Sequence, residues 1–565
     1  MPTFNATRST FNLIPLVLSL FLPCWFSFLI LVSPAVSLLY EISVVKNSLM
    51  NLARMFWQHL IRNESAVVLE RLEANGTVSW QQTRGELRQE AAQWMAALRT
   101  AGIGPGDRVA VSLGKSSGLV TAHLAILGVG AGVVPLNSAL TARETEAVLQ
   151  QAQVKLAITH RETIVRASGI ESAIQGPWWV VGETEGVPPK VISFSQMLSP
   201  NPVRLEPVER GDDDLALLVF TSGTTGTPKG VGLTHGNVRA NLQALLVETW
   251  EMTESDRLLH ALPPHHVHGL GLGLYGTLYV GNTAVLLERF EPAVVLRAFG
   301  PQRISVFMGV PTMYHRMTEA VDADTTLKSQ VVLTSMRVFT CGSAPLSPET
   351  FRRFREHFGF PIVERYGLTE TVINTSNPLR GPWKPGSVGL PIPGVEVSIF
   401  DPQTRQQLQN GETGEICVRG PNVFRGYWNN PEATAAAFYD QWFRTGDLGA
   451  IDADGYISIL GRIKELIIVG GTNVTPGEVE VVLEADTGVA ECAVVGIPDT
   501  DLGERITAFI VPRAGEETTA LEARLRAKAE HDLAPYKRPR AYRFLDAVPR
   551  NVMGKIERSK LREYR

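Results

Sequence analysis

Apolar and polar positions divide the chain into regions of different texture. At the N-terminus, residues 9–40 carry no charge and run through Leu13, Phe21, Trp25 and Leu31 to Leu39. That length suffices to cross a bilayer, and it exceeds the apolar region of an ordinary signal peptide. Pro15, Pro23 and Pro34 would each bend or interrupt a helix there. The stretch has three readings: a membrane anchor, a cleaved signal, or residues added by an upstream start, with Met50 and Met55 as the alternative starts. Residues 1–49 are therefore set apart as a hydrophobic leader whose few flanking charges do not fix an orientation.

From Met50 onward, short apolar runs alternate with longer amphipathic ones, such as Val109–Leu113 after the helix-like Thr83–Ala101. Runs at Leu156–Ile158, Trp178–Val181, Ala216–Phe220, Thr283–Leu287 and around Val363 read as buried strands. This alternation predicts an α/β architecture of layered sheets and helices. After Leu390 the pattern turns to β-rich pieces with glycine-containing turns, at Val395–Phe400, Gly414–Val418 and Tyr456–Ile459. Charges at Arg462, Lys464 and Glu465 precede the apolar run Leu466–Val469 and mark a boundary. The expected organisation is the leader, a large N-terminal domain at 50–463, and a small α+β C-terminal domain at 464–565.

Composition narrows the function. The 53 Lys+Arg and 57 Asp+Glu leave a net charge of −4, which gives no reason to expect a nucleic-acid partner. With 44% apolar and 19% charged residues, the chain is neither disordered nor collagen-like. Cys24, Cys341, Cys417 and Cys492 lie far apart without a CxxC pair, so no disulfide framework or zinc site is implied.

The densest chemical signal is Thr221-Ser222-Gly223-Thr224-Thr225-Gly226-Thr-Pro-Lys229-Gly230, directly after the apolar run Leu215–Phe220. Glycines let backbone N–H groups turn inward around an anion, the hydroxyls add donors, and Lys229 adds charge, so the loop suits phosphate. It is not a Walker A loop, because Pro228 and Gly230 flank the lysine where that pattern needs Gly and Ser or Thr. Gly271-Leu-Gly-Leu-Tyr-Gly276 satisfies GxGxxG, but no clear strand precedes it and the run is simply apolar and glycine-rich.

Taken with Tyr366-Gly-Leu-Thr369-Glu370-Thr371, Arg444-Thr-Gly-Asp447, Gly461-Arg462-Ile-Lys464 and Asn551-Val-Met-Gly-Lys555, this loop closely resembles the motif series of the adenylate-forming acyl-CoA synthetases. The motifs occur in the family's order, and the resemblance covers roughly Asn51 to the C-terminus. It implies a cytoplasmic ATP-dependent acid–thiol ligase using ATP, Mg²⁺ and CoA on a small-molecule carboxylate. In that family Tyr366 would stack on adenine, Thr369 would contact the α-phosphate and Glu370 would hold Mg²⁺. Asp447 would bind the ribose and Arg462 would reach the ribose or phosphate. Lys555 would be catalytic, bridging the carboxylate and the α-phosphate. Lys464 would be the hinge about which the mobile C-terminal domain turns, bringing Gly470 and Gly471 to the pantetheine path. Lys537, Arg538 and Arg540 are candidates for the CoA phosphates.

Specificity is expected from the segments His265-His266-Val-His-Gly269, Gly309–Arg316 and Cys341-Gly342-Ser343-Ala-Pro345. Of these, Gly309–Arg316, together with Glu364-Arg-Tyr-Gly-Leu-Thr-Glu370 and Asn374–Pro378, looks like the malonyl-CoA synthetase branch. That implies malonate or methylmalonate, with Arg316 pairing the distal carboxylate bidentately and His266, Gly342 and Ser343 lining the pocket. The branch commonly has Ser where this chain has Cys341, and a bulky residue where it has Pro264, so a different pocket stays open. The competing readings are a medium- or long-chain fatty acyl-CoA ligase, for which the leader would provide membrane association, and an adenylation module loading a carrier protein.

Overall fold

The computed structural model describes residues 51–564, leaving out 167–168, 184, 189–190, 200, 202, 222–227 and 551–554. The leader at 1–49, with its three readings and the start at Met50, lies outside the described residues. Among the described residues, no helix is long and apolar enough to cross a membrane.

Two large sheets carry the N-terminal part. In one, the parallel strands Trp178–Val181, Leu156–His160, Arg108–Ser112, Gly132–Pro135 and Leu215–Thr221 lie side by side, and Lys229–Thr234 closes an edge antiparallel to the last of them. Successive residues of these strands enter different cores. Val109, Val111, Ile158 and Leu217 join one cluster, whereas Ala110, Ala157, Val180 and Leu218 join the other. Side chains alternate along a pleated strand, and a parallel sheet is covered on both faces. That is why these strands read as unbroken apolar runs rather than as alternating ones.

The second sheet is built around the parallel strands Ile362–Tyr366, Val338–Cys341, Val306–Gly309, Arg257–His260, Thr283–Leu287 and Val67–Leu72. Helix Ser117–Gly128 is buried at every residue from Leu119 to Gly128 and belongs to the larger core. A helix that is apolar all round must be covered all round. Helix Arg84–Thr100 begins where Thr83 and Glu86 exchange side-chain-to-backbone hydrogen bonds, a reciprocal cap that satisfies two of its free N–H groups.

The β-rich region after Leu390 forms an antiparallel sheet of Glu396–Phe400, Gly414–Arg419, Trp442–Ile451, Phe438–Tyr439 and Ile457–Arg462. The small C-terminal domain has its own sheet, with Val489–Asp499 and Gly503–Pro512 as its long hairpin, and helices Pro476–Glu484 and Thr518–Asp532. Its hairpin also alternates between two apolar clusters, Val494 and Ile506 on one side and Val495 and Phe509 on the other.

This layering positions the chemistry. The segments 222–227, 261–268, 342–347 and 367–374 each follow the C-terminal end of a strand: Leu215–Thr221, Arg257–His260, Val338–Cys341 and Ile362–Tyr366. In open α/β sheets that end is where ligands bind.

Candidate active site

Asp447 is held by a turn that the neighbouring strand Gly414–Arg419 supports. Glu415, buried in strand Gly414–Arg419, accepts from Arg444 Nε at 3.1 Å and from the Gly446 N–H at 3.1 Å. Thr445 Oγ1 donates to the Ile416 carbonyl at 2.7 Å and accepts from the Asp447 N–H at 3.0 Å. Gly446 has φ +71°, a left-handed conformation that costs a glycine little, and it turns the chain so that Asp447 faces inward. Asp447 stands opposite Arg462 on the neighbouring strand. Its carboxylate accepts from the Tyr366 hydroxyl at 2.5 Å and pairs with Arg462 Nε at 2.8 Å. Burial raises the Asp447 pKa, while Arg462, Tyr366 and Lys555 pull it back.

Lys555 belongs to the same field. Its side chain is exposed. The surrounding protein lowers its pKa from the ordinary lysine value, Arg462 lowers it further, and Asp447, Glu370 and Glu465 oppose that shift. Its charge is felt at His266 as well. The Lys555 charge thus acts on both Asp447 and His266. The pKa of Lys464, exposed and two residues after Arg462, is also lowered, first by desolvation and then by the Arg462 and Lys229 charges. Lys229, Arg462, Lys464 and Lys555 thus form one cationic field against Asp447, Glu370 and Glu465, which suits a polyphosphate.

The loop after Tyr366 is constrained from several directions. Val372 has φ +57°, which is rare for a β-branched residue and costs about 1–3 kcal/mol. A Cβ on Gly367 would lie 1.9 Å from the Val372 carbonyl oxygen, so glycine is required there. Buried asparagines hold the loop: Asn422 Nδ2 donates to the Thr371 and Ile373 carbonyls at 2.8 and 3.1 Å, and Asn241 Nδ2 to Ile373 at 2.7 Å. Thr369 and Glu370 are left half-buried at its head. Glu370 Oε1 accepts from the Tyr427 hydroxyl at 3.0 Å. Among the described residues, no group of three or more His, Cys, Asp or Glu could form a metal cage. A lone accessible carboxylate fits Mg²⁺, which is commonly bound by one or two carboxylates together with substrate phosphates. Ser222, Gly223, Thr224, Thr225 and Gly226 lie outside the described residues; Thr221 and Lys229 are the ends of the two strands that flank them.

The pocket residues divide. Gly342 and Ser343 leave strand Val338–Cys341, and Ser343 takes φ +73°, aiming Oγ to 3.2 Å from His268 Nδ1. Behind them lies Arg365, only 4% exposed, whose Nε and Nη2 have no hydrogen-bond partner among the described residues. A Cβ on Gly342 would stand 2.6 Å from Arg365 Nη1, so glycine leaves room for this guanidinium. Burial lowers the Arg365 pKa to about 10. The rings of His265 and His266 lie 4.4 Å apart. Burial lowers their pKa values to about 3 and about 4, so both are neutral at pH 7. Arg316 occupies the exposed side of helix Pro311–Ala323, and no ion pair joins it to this group among the described residues. Arg365, Asn241, Asn422 and Tyr427 are the site residues that motif reading passed over.

Other candidates have structural employment. Gly470 and Gly471, at φ +55° and +82°, form the two-residue turn between Ile467–Val469 and Thr472–Val474, where both positions need positive φ. Lys537 is paired with Glu478, and Arg538 donates to the Leu533 and Glu530 carbonyls at 2.9 and 2.7 Å. Gly271–Gly276 sits in buried helix, where a Cβ on Gly273 would meet the His260 ring at 2.5 Å, so its glycines serve packing.

The AMP-binding enzyme family model matches residues 62–428, and that of the AMP-binding enzyme C-terminal domain matches 478–555. The chain belongs to the AMP-binding enzyme family. It is 40% identical to a probable CoA ligase of Humulus lupulus over 64% of this chain and 63% of that protein. It is 36% identical to a feruloyl-CoA synthase of Amycolatopsis, over 85% of this chain and 93% of that protein. A malonate–CoA ligase of Arabidopsis thaliana is 35% identical, over 81% and 78% respectively. Among solved structures, ATP-bound MatB from Rhodopseudomonas palustris superposes with a TM-score of 0.82 at 36% identity, over 91% of this chain and 99% of that one. The protein is an ATP-dependent acid–CoA ligase, and its co-substrates and metal are those of this enzyme group: ATP, CoA and Mg²⁺.

Proposed function

We propose that the carboxylate substrate is a short dicarboxylate of the malonate or methylmalonate class, and that its distal carboxylate pairs with Arg365. The carrying observation is the buried guanidinium with two unpartnered nitrogens behind Gly342. A buried cation without an anion is costly, whereas a bidentate carboxylate would satisfy both nitrogens. An alkyl chain in the same place would leave the charge unpaired. The likeness to a malonate–CoA ligase supports this reading, although a feruloyl-CoA synthase is as similar. His266 and Ser343 complete the pocket wall, and Arg316 on its helix is the alternative anchor.

In this reading the proximal carboxylate attacks the α-phosphorus of ATP, the bond to pyrophosphate breaks, and an acyl-adenylate forms. Lys555 stabilises the charge on the attacking carboxylate and α-phosphate. Thr369 donates to that phosphate, Asp447 and Arg462 hold the ribose end, and Tyr366 covers adenine. Glu370 would hold Mg²⁺, which would supply neutralisation of the phosphate oxygens. Residues 464–565 then turn about Lys464, withdrawing Lys555 and bringing Gly470 and Gly471 to the pantetheine arm. The CoA thiol attacks the acyl carbon and AMP leaves.

The test is thioester formation with malonate, methylmalonate, acetate, ferulate, octanoate and palmitate, for the unaltered chain, Arg365→Met and Arg316→Ala. Malonate should be preferred, and Arg365→Met should lower kcat/KM for malonate about 100-fold, the cost of a lost charged pair of about 3 kcal/mol, while acetate changes only a few-fold. Preference for ferulate, octanoate or palmitate would defeat the dicarboxylate reading. A malonate-selective loss in Arg316→Ala alone would move the anchor to helix Pro311–Ala323.

A further inference from the structure

Tyr427 touches two parts of the nucleotide site that lie far apart in sequence. Its hydroxyl donates to Glu370 Oε1 at 3.0 Å, and the face of its ring lies 5.0 Å from Lys229 Nζ. Among the described residues, no hydrogen bond engages Glu370 Oε2. The tyrosine is itself held firmly. Tyr427 forms a backbone bridge with Val231, the Trp428 N–H donates to the Gly230 carbonyl at 2.8 Å, and the Tyr427 N–H donates to Thr434 Oγ1 at 2.9 Å. Its ring meets Phe424 edge-on at 5.0 Å, and the Phe424 N–H donates to the backbone carbonyl of Glu370 at 2.8 Å. A Cβ on Gly230 would lie 3.1 Å from Trp428 Cβ, so this approach depends on glycine.

We propose that Tyr427 is a positioning residue that couples the phosphate-binding strand to the metal-binding carboxylate. Its hydroxyl occupies one oxygen of Glu370 and orients the other toward the cation. Its ring holds the Lys229 ammonium at the exit of segment 222–227. The hydroxyl and the ring therefore do separable work: the first acts on the metal, the second on phosphate binding irrespective of metal. The proposal rests on Glu370 as the Mg²⁺ carboxylate.

Calorimetric titration of the full chain with ATP, once in saturating Mg²⁺ and once in EDTA, separates these effects. Tyr427→Phe keeps the ring, so its Kd in EDTA should stay within about twofold of the unaltered chain. Its gain in affinity from Mg²⁺ should shrink about tenfold, the scale of a lost partner to a metal ligand. Tyr427→Leu should lose the same gain and, in addition, bind ATP several-fold more weakly in EDTA, as expected when a cation–π contact is removed. Unchanged Kd values in Tyr427→Phe, or equal weakening with and without Mg²⁺, would overturn the role of the hydroxyl. Identical behaviour of the two variants in EDTA would overturn the role of the ring. Glu370→Gln serves as the control for the premise: if it keeps the full Mg²⁺ gain, Glu370 is not the metal carboxylate and the proposal falls with it, whatever Tyr427→Phe does.

Discussion

Lys555 is exposed to solvent yet acts electrostatically on Asp447 and His266. We propose that an ammonium in that position serves charge development during adenylation. Lys555→Ala should therefore lower acyl-adenylate formation, followed by pyrophosphate exchange, about 10²–10³-fold. It should leave thioester formation from supplied acyl-adenylate nearly unchanged, and equal loss of both steps would contradict the division of labour between the two half-reactions. The lowered Lys555 pKa adds a pH signature. As pH rises through a value below the ordinary lysine range, the amine loses its proton and adenylation should decline, whereas thiolation from supplied adenylate should show no such alkaline limb.

Elements carry the next level of control, because the loop 367–374 is shaped by side chains from other elements. Asn422 lies 51 residues from one of its acceptors, Thr371, and 49 from the other, Ile373. Asn422→Ala should leave the buried Thr371 carbonyl without this donor, at about 1–3 kcal/mol, while Asn241 still serves Ile373, and it should lower kcat more than its effect on global stability implies. A variant as active as the original, with an unchanged denaturation midpoint, would show the loop to be self-supporting. The same distances explain what sequence reading could reach. The strands at Leu156, Trp178 and Thr283 were legible because a parallel sheet buried on both faces leaves unbroken apolar runs. The order of the motifs through Lys555 carried the family. Arg365 stood in plain view before Tyr366, but burial is a property of the assembled sheet. Arg316 drew notice through its Pro-Thr turn, and helical periodicity did not reveal that it faces solvent. Gly470 and Gly471 read as ligand-facing glycines, although a two-residue turn already accounts for them. Tyr427 was silent because its partner Glu370 lies 57 residues away.

For the whole molecule, the buried histidines set the response to acid. Burial lowers the pKa values of His123 and His265 to about 3 and those of His235, His260 and His266 to about 4, from the ordinary histidine value of 6.5. Between pH 4 and 6.5 the unfolded chain therefore binds more protons at these sites than the folded chain, so stability rises with pH across that window and is lost as pH falls. Each histidine contributes a slope of up to about 1.4 kcal/mol per pH unit. Glu364 and Glu484 act in the opposite sense. Burial raises them to about 8 and about 7 from 4.5, so the folded chain holds extra protons and stability falls as pH rises through those values. The histidines outnumber the glutamates below pH 6.5, and the glutamates dominate above it. Denaturant titrations from pH 4 to 8 should place maximal stability near pH 6.5, with a steep loss on the acid side and a shallow one toward pH 8. A profile that is flat from pH 4.5 to 6.5 would mean the histidines are hydrated or paired in solution. Glu364→Gln should abolish much of the shallow limb while leaving the steep one in place, because it removes the raised carboxyl and none of the imidazoles.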